Sequence, residues 1–330
     1  MKLISIIGTR PQYIKIKTLY DYCKVKKINH LIVDTNQHYS DNVSKNLIKD
    51  LNLEININLN LDYLNEIDFI SKTIVSLSNI IQNESPDFVL IYGDTNSTFC
   101  AALSAYKLGV PIAHIEAGER CYDNSIPEEI NRIFSDSVSK INFCSSRSSA
   151  LNTGGIYCGD LEYDLLNSIN PKIFYNNYGV MTIHRQKNCS KHRLNSIFNM
   201  CSKIPYNIKF FAHHRIKPFL AKIPNNVTIL DPCNYSEMIN YMSKCRFIIT
   251  DSGSIQKTSA FFGKNTLVMR DTSEWKDTEK YGFAKLEEGC DNNIKWLLGE
   301  PQVRMPNLYS PPNDSSAKII INKIINTLNK

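Results

Sequence analysis

The chain has 330 residues, enough for two domains that each bury a core. Hydrophobic residues make up 42% of it and charged residues 21%, which excludes a disordered or fibrous chain. The net charge of +6 comes from 38 basic and 32 acidic residues spread without a dense basic run. That argues against nucleic acid and accommodates a small anionic ligand.

Residues 2–8 read as a buried strand that opens at Gly8 into a helix beginning near Pro11. A strand, a glycine turn and a helix start present backbone N–H groups to an anion, and Arg10 and Lys15 add charge there. Plain solvation is the competing structural explanation for both side chains. Residues 30–34 form a second strand with Gln37 and His38 just beyond its carboxyl end. Residues 41–51 read as a polar helix, 55–61 as a half-buried edge strand, and 69–83 as a helix with one apolar stripe.

The stretch from Leu90 to Arg132 is the richest in chemistry. Strand 90–92 runs into a turn that holds Asp94, a helix from about Thr98 to Lys107 follows, and strand 112–115 ends at Glu116. Glu128 follows Pro127 in the first turn of the next helix. In open α/β sheets ligands bind outside the carboxyl ends of the strands, so carboxylates at neighbouring strand ends are a site signal. Helix capping for Asp94, an ion pair for Glu116 and the helix dipole for Glu128 are the competing structural explanations. Strands at 141–144 and near 155–160 complete a first doubly wound domain.

A polar, aromatic linker at 170–179 precedes a second series of βα units. Strand 180–183 ends at His184 and Arg185, strand 209–212 at His213, and 226–230 at Asp231. Strand 246–250 ends at a loop carrying Asp251, Ser252, Gly253 and Ser254, which opens a helix as a second anion cradle. Strand 266–270 precedes Glu274 and Trp275, and helix 318–328 closes the chain. The expected division is 1–168 and 169–312, with a C-terminal helix at 313–330 packing back on the first domain. Both domains are α/β, Rossmann-like and doubly wound, and a cleft between two such domains suits a nucleotide diphosphate.

Ten cysteines occur singly with neither C-x-x-C nor zinc spacing. Leu3 to Ile7 is too short for a signal-peptide core, and no run is long enough to span a membrane. A cytoplasmic protein with reduced thiols is expected.

The segments GTRPQYIK (8–15), NQHYSDN (36–42), YGDTNST (92–98), HIEAGER (114–120), PEEINR (127–132), CGDLEYD (158–164), IHRQKN (183–188), AHHR (212–215), TDSGSIQK (250–257) and MRDTSEW (269–275) occur in the order found in one family. In them the chain resembles the non-hydrolysing UDP-N-acetylglucosamine 2-epimerases, over nearly its whole length. The resemblance implies the glycosyltransferase-B architecture, two such domains facing across a cleft. It implies an isomerase that inverts C2 of a UDP-2-acetamido sugar by eliminating UDP to a glycal and adding it back. Asp94, Glu116 and Glu128 resemble the family's catalytic carboxylates, supported by Lys15 and His184. Arg10, Arg185, His213, Ser252 and Gly253 are similar to its diphosphate contacts, and Gln37, His38, Ser254 and Glu274 fall in segments matching its substrate site. The family implies no metal, no nicotinamide or other cofactor, and a homodimer.

Some positions depart from the common pattern. Gln12 replaces a glutamate, Ser254 a glycine, and Lys257–Thr258 a pair of glutamates, Thr258 standing at a ribose-binding position. These variants look more like the branch acting on modified sugars, such as UDP-2,3-diacetamido-glucuronate or 6-deoxy amino sugars, in nucleotide-sugar synthesis for glycans. The alternatives are a hydrolysing 2-epimerase, a glycosyltransferase of the same fold, and an inactive nucleotide-sugar-binding protein.

Overall fold

Apolar runs buried on both faces organise the chain: Phe88–Tyr92 has no exposed residue, as a parallel strand between helices requires. The computed structural model describes residues 1–37, 41–213, 216–220, 222–300 and 308–329. They divide into one unit of Met1–Ile169 with Tyr309–Lys330 and another of Asn170–Leu308.

The N-terminal unit runs β1 (Lys2–Ile7), α1 (Arg10–Val25), β2 (Asn29–Asp34), α2 (Asp41–Asp50), β3 (Ile57–Asn58), α3 (Glu66–Glu84) and β4 (Phe88–Tyr92). It continues through α4 (Asn96–Lys107), β5 (Ile112–Ile115), α5 (Pro127–Val138), β6 (Ile141–Cys144), α6 (Arg147–Thr153), β7 (Ile156–Tyr157) and α7 (Leu161–Ile169). The strands pair in parallel in the order β3-β2-β1-β4-β5-β6-β7. Successive strands run outward from β1 on one side and from β4 on the other, so the topological switch point lies between them. Helix α4 buries Cys100, Ala101, Ala102 and Ala105 against the sheet, small residues that let it sit between α3 and α5.

The C-terminal unit repeats the pattern with β8 (Tyr178–Thr182), α8 (Lys191–Ser202), β9 (Asn207–Phe211), β10 (Val227–Leu230), α9 (Tyr235–Lys244) and β11 (Phe247–Thr250). It goes on with α10 (Gly253–Phe261), β12 (Asn265–Val268), α11 (Lys276–Lys280), β13 (Ala284–Leu286) and α12 (Cys290–Leu298). Its strand order β10-β9-β8-β11-β12-β13 puts the switch point between β8 and β11. Both units are thus Rossmann-like and doubly wound, the α/β class expected. The last helix, α13 (Ser316–Leu328), lies against α1 and α7, where Asp164 accepts a bond from Ala317 N at 3.2 Å.

The edge strand expected over 55–61 is only Ile57–Asn58. Its asparagines divert the ladder: Asn56 Oδ1 accepts from Ile32 N at 2.7 Å, and Asn60 adopts φ +43°. The helix expected at 69–83 begins earlier, at Glu66, because Asn65 caps it by accepting from Asp68 N at 3.0 Å. Among the described residues no helix is long and apolar enough to cross a membrane.

Candidate active site

In the N-terminal unit the expected residues gather at the carboxyl ends of β1, β4 and β5, around the switch point. Lys15, one turn into α1, is buried, and its Nζ bonds Glu116 Oε1. Both side chains are only 9% exposed, so the pair is shielded from bulk water. Arg10, at the start of the same helix, is exposed. Gly93, at φ +63°, keeps the β4 turn open to this pair, since a Cβ there would lie 3.2 Å from Glu116 Oε1. Glu116 itself has φ +67°, a strained conformation for a glutamate that points to function at this position.

Asp94 does not cap α4. Thr95 does, accepting from Thr98 N at 3.3 Å, and the Asp94 carboxylate is bound by Arg132 NH2 at 2.5 Å. Each of these two carboxylates is therefore held by a cation, Glu116 by Lys15 and Asp94 by Arg132. Arg132 also holds Glu129 at 2.7 Å through NH1. Glu129 is buried and accepts from Cys121 N and Tyr122 N at 3.0 and 2.9 Å. Burial pushes the Glu129 carboxyl up, but these N–H bonds and Arg132 outweigh it and hold the group below the usual carboxylate range. Of the two adjacent glutamates, Glu129 is thus a structural anchor, while Glu128 is half-buried. Asn131 and Arg132 escape the sequence reading, although an acid–base pair three residues apart at a helix start is a recognisable signal.

Gln37 is turned inward: its Oε1 accepts from Ser97 N and Oγ at 3.0 and 2.8 Å, holding the first turn of α4. His38 lies outside the described residues. Gln12 is buried, with Oε1 accepting from Gly8 N (2.8 Å) and Thr9 N (3.2 Å). Its Nε2 donates to Tyr92 O at 2.7 Å and to Thr95 and Thr98 Oγ1 at 3.0 Å. A carboxylate cannot donate to Tyr92 O. Gln12→Glu should therefore cost about 2 kcal/mol at neutral pH, read as a lower urea midpoint, and less in acid as the new carboxyl protonates.

In the C-terminal unit the second group of residues gathers at the β8/β11 switch point. Asp251 is fully buried and accepts from His184 N, Arg185 N (2.9 Å) and Asn188 Nδ2 (2.9 Å). Its Oδ1 also faces His184 Nδ1 at 2.9 Å, and the ring is half-exposed. His213 lies beside it, the ring centroids 6.5 Å apart. Arg185 Nε donates to Asp251 O at 3.0 Å, fixing the guanidinium at the same strand end. Ser252 caps α10 by accepting from Ile255 N at 3.4 Å. Gly253 opens the helix with no room for a side chain, because a Cβ would stand 2.4 Å from Glu274 Oε1. Glu274 is buried against Arg270 NH2 at 2.9 Å, Ser254 O accepts from Thr258 Oγ1 at 2.8 Å, and Lys257 Nζ lies 5.1 Å from the Trp275 ring centre. The first turn of α10 carries no acidic residue of its own.

The profile of a family described as UDP-N-acetylglucosamine 2-epimerase matches residues 22–298. A UDP-2,3-diacetamido-2,3-dideoxy-D-glucuronate 2-epimerase of Pseudomonas aeruginosa is 33% identical over 305 residues, spanning 83% of this chain and 85% of the relative. A UDP-N-acetylglucosamine 2-epimerase homolog of Methanococcus maripaludis is 33% identical over 97% of this chain and 98% of its own. The crystal structure of Methanocaldococcus jannaschii UDP-GlcNAc 2-epimerase in complex with UDP-GlcNAc and UDP superposes with a TM-score of 0.86, at 27% identity, covering 99% of this chain and 100% of that one. With the profile spanning most of the chain and two doubly wound units as its fold, this protein belongs to the UDP-N-acetylglucosamine 2-epimerase family.

Proposed function

We propose that the protein epimerises C2 of a UDP-2-acetamido sugar without net hydrolysis, and that the sugar is a modified one, uronic or 6-deoxy. The observation that carries the reaction is the pair of cation-held carboxylates at adjacent strand ends, Asp94 on Arg132 and Glu116 on Lys15. One carboxylate takes the C2 proton while the C1–O bond breaks and its electron pair leaves with UDP, giving a C1–C2 double bond. A second acid then protonates C2 from the other face as the UDP oxygen returns to C1. A C2–H is a poor acid, so this chemistry needs a base and an acid set on opposite faces.

Glu128, in the first turn of α5, is the third carboxyl of this reading. Lys15 and Arg132 hold the carboxylates in place and lessen their mutual repulsion. Departure of UDP needs positive partners for its developing charge. Arg185, His184, His213 and the N–H groups at the start of α10 would supply such partners within the C-terminal unit. Similarity to the diacetamido-glucuronate enzyme, together with Lys257 and Trp275, supports a modified sugar over plain UDP-N-acetylglucosamine.

Proton NMR in D2O with UDP-N-acetylglucosamine, UDP-2,3-diacetamido-glucuronate and a UDP 6-deoxy amino sugar tests this. The expected result is deuterium at C2 together with the 2-epimer, fastest for a modified sugar, with no accumulation of UDP. UDP released stoichiometrically with free sugar would replace it by a hydrolysing reaction. Saturable UDP binding without exchange would leave a binding protein.

A further inference from the structure

The sequence reading assigns no role to His114 or Asp136, and the chemistry above does not use them. Both are buried: His114 is 0% and the Asp136 side chain 5% exposed. Asp136 sits two turns along α5 from Glu128. Its Oδ1 meets His114 Nδ1 at 2.7 Å, and its Oδ2 accepts from Arg120 NH2 at 2.6 Å and from Gly118 N at 3.1 Å. On its far side His114 Nε2 meets Gly93 O at 2.8 Å.

Hydrogen-bond chemistry settles the direction of this chain. A carbonyl oxygen only accepts, so Nε2 donates to Gly93. Burial pushes the Asp136 carboxyl up, but the bond and charge of His114, with Arg120, outweigh it and hold the group below the usual carboxylate range. An ionised Asp136 only accepts, so Nδ1 donates as well.

The consequence is spatial. Gly93 O belongs to the peptide that leads into Asp94, and Gly118 lies two residues beyond Glu116. Glycine lets the first turn take φ +63° at Gly93 without strain, whereas φ +67° at Glu116 persists only where the surroundings over-determine it. A second bond reinforces the link from the same helix, Asn131 Nδ2 donating to Asp94 O at 2.9 Å. One buried carboxylate on the helix that bears Glu128 thus ties down the backbone beside both other carboxylates.

We propose that Asp136, acting through His114, is a positioning residue that sets the spacing of Asp94, Glu116 and Glu128 for proton transfer without touching the substrate. The proposal rests on the reading of those carboxylates as acid and base, and its test separates the two. Wild type, Asp136→Asn and His114→Gln are compared as full-length proteins for C2 exchange in D2O, UDP affinity, thermal unfolding, and amide hydrogen exchange over residues 93–94 and 116–118. The expected result is a fall in kcat of about 100-fold, the scale of a 1 Å misplacement, with KM and UDP affinity within about three-fold of wild type. Faster amide exchange confined to those two turns should accompany it.

A folded variant with unchanged kcat beside an active wild type would overturn the proposal, as would unchanged exchange at the two turns. If Asp136→Asn does not fold, His114→Gln, which removes the ring but keeps an amide donor, provides the same reading. An inactive wild type with every sugar would instead overturn the epimerase reading. In that case the amide exchange alone decides whether Asp136 holds the turns.

Discussion

Asp94→Asn should abolish turnover, with kcat at least about 1,000-fold down, within the range set by removing a general acid or base. UDP affinity should change little, because the residues proposed to take the diphosphate, Arg185, Ser252 and Gly253, lie in the other unit. The substitution keeps the volume and an oxygen for Arg132. That guanidinium also retains Glu129 at 2.7 Å, so the fold should survive. The measurement is C2 exchange by NMR alongside calorimetric UDP binding. Loss of binding equal to the loss of rate would remove Asp94 from proton transfer and make it a ligand contact.

The second large effect is expected at Asp251. Five interactions converge on this buried residue: the side chain takes His184 N, His184 Nδ1, Arg185 N and Asn188 Nδ2, while its backbone oxygen takes Arg185 Nε. Asp251→Asn turns an amide N–H toward groups that already donate. The cost should be about 3 kcal/mol, the lower end for breaking a buried charged network, and it should appear as a lower urea midpoint. Burial raises the Asp251 carboxyl, but the bond and charge of His184, then Asn188 and Arg185, prevail and hold it below its ordinary value.

A carboxyl depressed in the folded state stabilises fully above its unfolded pKa, about 3.9, and that contribution is lost as pH falls through the lower folded value. The wild type should therefore lose stability below about pH 4 with a step that Asp251→Asn lacks. The variant should also turn over more slowly, because the bond that fixes the His184 ring is gone. An unchanged urea midpoint at pH 7 would show that the network is not under load.

The positions of the candidate residues along the fold were legible in the sequence because they follow local grammar. Strand, turn and helix signals place Asp94 and Glu116 at strand ends and Ser252–Gly253 at a helix start, and each signal spans fewer than a dozen residues. The departures from that reading are local too. Asparagine side chains broke the alternating 55–61 stretch, and β13, three residues long, is too short to show a period.

What only the tertiary structure decided is which charges meet. Lys15 finds Glu116 across 101 residues and Arg132 finds Asp94 across 38, because the strand order sets β1 beside β4 and β4 beside β5. The choice between Glu128 and Glu129 was equally invisible, since both are acids in one helical turn. It is made by the loop that brings Cys121 N and Tyr122 N onto Glu129. Side-chain type and spacing determine where a charge can stand along the chain. Its partner, burial and hydrogen bonds come from the order in which the strands pack.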